Sequence, residues 1–242
     1  MNIRTRKTAI ALSLAAFFAA AGVAHAGSLV VGSVKNTTQV GRMNQKQSGL
    51  LNKQEANVGS IKDSLVVGSV KNTTRVGRIN QRQSGLLNKQ EANVGTIKDS
   101  LVVGSVKNRT RVGRINQRQS GLLNKQEANV GSIKDSLVVG SVKNTTRVGT
   151  INQRQSGLLN KQEANVGSIK GSLVVGAVQN NTRVGSINQR QSGLLNKQEV
   201  NVGSIKDSLV VGSVKNTTRV GAIRQSQSGL LNKQETNIGT IK

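Results

Sequence analysis

Residues 63–98 read DSLVVGSVKNTTRVGRINQRQSGLLNKQEANVGTIK. Val, Ile and Leu gather in four short groups around Gly68, Gly77, Gly85 and Gly95, which stand 9, 8 and 10 residues apart. Between the groups lie polar stretches: Lys71-Asn72-Thr73-Thr74, Asn80-Gln81-Arg82, Lys89-Gln90-Glu91-Ala92 and Lys98-Asp99-Ser100. β-Branched runs punctuated by polar residues read as strands and turns. A helix is disfavoured, because each interior glycine costs about 1 kcal/mol against alanine. The chain has no proline, which suits strands that must donate every backbone N–H to a ladder.

The same 36 residues recur, with few changes, as 27–62, 63–98, 99–134, 135–170, 171–206 and 207–242. A fixed period of this length marks a stacked array. The fold class is therefore all-β: a β-solenoid of stacked strand–turn–strand rungs, in-register and cross-β, built from six 36-residue repeats. Val76-Gly77-x-Ile79 returns 18 residues later as Val94-Gly95-x-Ile97. That likeness favours two rungs per copy, twelve in all, in a rod roughly 58 Å long. The alternative is one 36-residue rung per copy, six rungs and about half that length.

Period-2 alternation assigns faces. It puts Gly77 and Ile79, and likewise Gly95 and Ile97, on an interior face, and Val76, Arg78 and Asn80, with Val94, Thr96 and Lys98, on the charged face assigned to solvent. Variation among the copies supports an interior Ile. The position after the second glycine is Arg42, Arg78, Arg114, Thr150, Ser186 and Ala222, whereas its neighbour is always Met43, Ile79, Ile115, Ile151, Ile187 or Ile223. The second set is expected to form a core ladder.

The first 26 residues read differently. Arg4, Arg6 and Lys7 precede an apolar run over 9–23, and Ala24-His25-Ala26 closes it. This is the layout of a secretory signal peptide, too short an apolar run for a membrane span. Export is the expectation, with 27–242 as the mature repeat domain. That domain has no aromatic, His or Cys, and carries +22 once Arg4, Arg6 and Lys7 are removed from the +25 of the whole chain. Exported without cysteine, it forgoes disulfides. Acid–base or nucleophilic chemistry has only Asp, Glu, Lys and Ser to draw on. The single Glu per copy reads as a turn charge, and no calcium or phosphate-binding motif is present. No enzyme, cofactor or metal site is expected.

Gln-Ser-Gly-Leu-Leu-Asn occurs in every copy, from Gln47–Asn52 to Gln227–Asn232, and Gln39-Val40-Gly41-Arg42-Met43-Asn44 repeats its Gln-x-Gly-x-x-Asn spacing. This motif resembles the curlin repeat of bacterial curli, whose subunits are β-solenoids that polymerise into extracellular amyloid fibres. More distantly, the 36-residue period is similar to that of the pseudomonad functional-amyloid subunits. The resemblance implies that Gln47, Asn52, Gln83, Asn88, Gln119, Asn124, Gln155, Asn160, Gln191, Asn196, Gln227 and Asn232 form inward ladders. Gly77, Gln90 and Val94 stand where curlin repeats carry Ser, Ala and Gln, so the kinship is one of type.

Independently of that likeness, near-identical rungs with repeated amides favour in-register stacking, and uncapped ends invite another chain. The expected product is a secreted structural protein forming extracellular fibres for surface adhesion and biofilm matrix. Its partners would be itself, a nucleator or export proteins, and polyanions such as acidic polysaccharide or DNA read without sequence specificity. Arg42, Arg78, Arg114, Arg82, Arg118 and Arg154 are the expected polyanion contacts. The competing class is a monomeric basic adhesin. An ice-binding rod is disfavoured, because Thr73-Thr74 reads as a turn and copy three holds Arg109 there.

Overall fold

A computed structural model describes residues 28–241. The signal-peptide assignment to 1–26 lies outside the described residues. Each copy forms one complete turn of a parallel β-solenoid. In the second copy the strands are Ser64–Val67, Val70–Gln83, Lys89–Val94 and Ile97–Lys98. We call these the edge strand, the long strand, the return strand and the corner strand. Equivalent strands stack into four parallel sheets, and every pairing joins residue i to residue i+36, as in Ile79 to Ile115 and Leu65 to Leu101.

There are thus six rungs, not twelve, in a stack about 29 Å tall at one strand spacing per rung. The reason lies in the two similar tetrapeptides. Val76-Gly77-Arg78-Ile79 sits inside the long strand, whereas Val94-Gly95-Thr96-Ile97 turns a corner at Gly95, with φ +59°. A side chain at Gly95 would strike Thr74 and Thr110. The half-copies face each other: Val76 and Ile79 pack against Ala92 and Val94 in one core cluster. A second cluster, of Val70, Ile97 and Val66 with their equivalents, fills the space where the corner and edge strands meet the start of the long strand.

Two face assignments need correction. Val76 and Ile79 are both buried, with Gly77 exposed and Arg78 partly exposed between them. Gly77 is therefore not interior. The alternation slips by one residue at Gly77, in every copy alike, so stacking is undisturbed. A Cβ there would run into the carbonyl of Gly41 one rung away. Val94 and Thr96 are likewise buried, because the corner at Gly95 breaks the alternation. Asn72-Thr73-Thr74, expected as a turn, lies mid-strand, with Asn72 and Thr74 inward and buried.

Candidate assembly and polyanion-binding surfaces

The interior is a set of ladders running along the stack. The Ile79 column is fully buried through Ile115, Ile151 and Ile187, while Met43 is partly exposed at one end and Ile223 is 44% exposed at the other. Gln83 belongs to an amide ladder in which Gln83 Nε2 donates to Gln47 Oε1 at 3.3 Å, and Gln119 Nε2 to Gln83. The same contact links Gln155 to Gln119 and Gln191 to Gln155.

Asn88 works in a different manner from a side-chain ladder. Its amide donates to the carbonyls of Ser84 and Gly49, both at 2.8 Å, and its Oδ1 accepts from the backbone N–H of Asn52. Asn124, Asn160 and Asn196 repeat this clamp, which ties the Ser-Gly-Leu-Leu turn to the rung beside it. At the last turn Asn232 still holds Ser228 and Gly193, and Gln227 turns its amide to the Asn232 carbonyl.

Three tighter ladders escaped the sequence reading. Gln117 donates to Gln81 at 3.0 Å, Gln126 to Gln90 at 2.8 Å, and Asn129 to Asn93 at 2.9 Å, all buried. Their signal was available, since Gln81, Gln90 and Asn93 hold one residue type in all six copies. Buried amides without partners are costly, and a ladder satisfies each from its neighbour.

The glutamates are not turn charges. Glu91 lies within the return strand, 4% exposed, and Lys98 Nζ reaches its Oε1 at 2.7 Å. Glu127 is held by Lys134 at 2.7 Å, and Glu163 by Lys170 at 3.0 Å with Lys161 at 3.6 Å. Burial pushes the Glu163 carboxyl up, but the ammonium of Lys170, the Asn165 amide and Lys161 outweigh it and hold the pKa at about 2. Burial likewise pushes Lys134 and Lys170 down, and their Glu partners more than offset it, raising both above the ordinary lysine value. The glutamates are therefore paired with lysines along the return strand, while Asp63, Asp99, Asp135 and Asp207 lie at the turn before the edge strand. Among the described residues, no group of three or more His, Cys, Asp or Glu is placed to hold a metal ion.

The opposite side of the molecule is uncompensated. The outer face of the long-strand sheet carries Lys71, Arg75, Arg78 and Arg82 in the second turn, and none of the six long strands contains Asp or Glu. Arg42, Arg82, Arg114, Arg118 and Arg154 are exposed on this face, and Arg78 is partly exposed. The columns differ in continuity. That of Arg78 lapses to Thr150, Ser186 and Ala222, whereas Lys46, Arg82, Arg118, Arg154 and Arg190 run unbroken for five turns. The latter line a groove of about 820 Å³ along the stack, with Gln83 and Ser84 and their equivalents beside them. Such a row can follow a linear anion, and it has no aromatic ring to read a base.

No family model, curated protein or solved structure matches this chain.

Proposed function

We propose that this is an exported bacterial structural protein whose solenoids stack end to end into extracellular fibres serving surface adhesion and biofilm matrix. One observation carries the reading. If the 36-residue register continues from the sixth turn onto the first turn of another chain, Arg219 meets Gln39, Ala222 meets Arg42 and Ser226 meets Lys46. Inside the molecule the same columns set Arg75 on Arg111, Arg78 on Arg114 and Arg82 on Arg118. Like charges directly opposed on a sheet are destabilising. The junction between chains would carry one like pair on this face, Lys215 on Lys35, against three, four, three and two at the first four junctions within the chain and one, Arg183 on Arg219, at the fifth.

The ends match in hydrogen bonding as well. Gln83, Gln119, Gln155 and Gln191 each donate to the turn before, so Gln47 Nε2 at the first turn is buried without a partner. Stacking would give it Gln227 Oε1 of the next chain and cover Ile223. The first and last long strands each keep one unpaired edge within the described array, and such edges recruit strands.

The test is the array 27–242, desalted from denaturant. It should become sedimentable and diffract at about 4.7–4.8 Å along the fibre axis. The double variant A222R/S226R restores the like charges at the junction, so it should assemble more slowly at low salt and recover at high salt. A persistently monomeric array would overturn the reading. It would favour the second one, a monomeric basic adhesin, which rests on the acid-free face. In either case acidic polysaccharide or DNA is the polyanion partner proposed for the Arg82 groove.

A further inference from the structure

The two narrow ends of each turn carry apolar columns that stay partly exposed even where each residue stacks on its own copies. At one end, Leu51, Leu87, Leu123, Leu159, Leu195 and Leu231 all adopt φ between 51° and 55°. Their side chains are 42–78% exposed. A branched residue in the left-handed region is disfavoured, and Asn or Gly would hold the same turn with less strain. The turn at Asp99 follows that rule, with Asp or Gly at φ near 50–58° in five copies. Stacking on its own copies takes this leucine from 76–78% exposed at the terminal turns to 42–46% inside, and the remainder still faces outward.

At the other end, the edge strands turn Leu65 and Val67 outward, 37% and 41% exposed. The equivalent positions hold Leu and Val in all six copies. Exposed positions free of constraint do vary here, since the Arg78 site accepts Thr, Ser and Ala and the Thr73 site accepts Arg and Asn. The two apolar ends are separated by the long strand, which starts beside the edge sheet at Val70 and finishes at Gln83 before the Leu turn. That is roughly 45 Å of extended chain.

We infer that these ends are one heterologous lateral contact: the Leu87 ridge of one copy docks on the Leu65/Val67 edge of a second copy lying beside it. Charge selects this pairing. The ridge is flanked by the basic Arg82 and Lys89 columns, and the edge, on the side away from the Lys71 column, by the acidic Asp63, Asp99, Asp135 and, past Gly171, Asp207. Ridge on ridge would bring the Arg82 columns of the two copies together. A heterologous contact does not close on itself, so it gives an open ribbon. A stripe about 29 Å tall and two side chains wide falls short of the ~800 Å² per partner of a stable interface. The inference therefore rests on the proposed end-to-end stacking, which makes the stripe continuous along a fibre.

Electron microscopy of the array and of a Leu87→Asn, Leu123→Asn, Leu159→Asn variant tests it, because length reports stacking and width reports the lateral contact. Wild-type particles should be ribbons several solenoids wide. The variant should fold with undiminished stability, since Asn tolerates the left-handed turn, and form single filaments of the same length. Leu101→Thr with Leu137→Thr, on the opposite end, should give the same narrowing. Wild-type particles one solenoid wide, or variant ribbons as wide as wild type, would overturn the contact. So would a ridge whose loss abolishes binding to neutral phosphatidylcholine vesicles without narrowing the ribbons. Particles that are wide but only one chain tall would overturn the stacking and support the lateral contact.

Discussion

Ile115 and Arg114 are neighbours in sequence with opposite fates. Ile115 is fully buried between Ile79 and Ile151, and Arg114 is exposed on the outer face. Replacing Ile115 by Ala should cost about 2–5 kcal/mol, the range for opening a cavity in a packed core. Replacing Arg114 by Ser should change stability by less than about 0.5 kcal/mol, since Ser186 already occupies an equivalent site. Denaturant midpoints measure both, and equal shifts would refute the assignment of faces. The Ile column was legible because six internal copies act as a substitution experiment. The parity slip at Gly77 was not. Alternation presumes an unbroken strand, and nothing in Val-Gly-Arg-Ile announces that two successive residues face solvent.

At the scale of the element, identical local sequence gave two conformations. Val76-Gly77 is strand and Val94-Gly95 is corner, and what decides between them is the partner across the interior. That decision is tertiary, so the rung size stayed open in sequence and closed only with the strand pairings. The buried Glu–Lys columns were hidden for the same reason: Lys98 lies seven residues beyond Glu91, and only the corner brings them together. Their titration sets the pH range of the fold. Glu163 is depressed from 4.5 to about 2, so its contribution is complete above 4.5 and is lost as the pH falls toward 2. Lys134 and Lys170 are raised from 10.5, so theirs is complete below 10.5 and fades as the pH climbs beyond it. The denaturant midpoint should therefore hold level from about pH 5 to 10 and drop on either side. Glu163→Gln should flatten the acid limb. A midpoint that rises between pH 4.5 and 2 would contradict the pairing.

For the whole molecule, charge is sorted by face, and this governs what polyanions do. Every Glu is paired in the return-strand columns, so the net positive charge is concentrated on the outer face of the long-strand sheet, where stacking sets Arg on Arg. A linear anion along the Arg82 groove would screen that repulsion and span junctions between chains. Heparin or duplex DNA should therefore shorten the assembly half-time at low salt, and added salt should weaken the effect through counterion competition. Duplexes of different sequence should act alike, because the array 27–242 has no aromatic side chain to stack on a base and, among the described residues, no element is shaped to read a groove. Arg82→Ser, Arg118→Ser and Arg154→Ser together should lower the slope of log affinity against log salt by about 3, one for each lost phosphate contact. The matching change in the Arg78 column should do less, because that column already lapses at Thr150. Equal half-times with and without polyanion at low salt would leave the basic face as a solubility device. An undiminished slope in the triple variant would move the anion out of the groove.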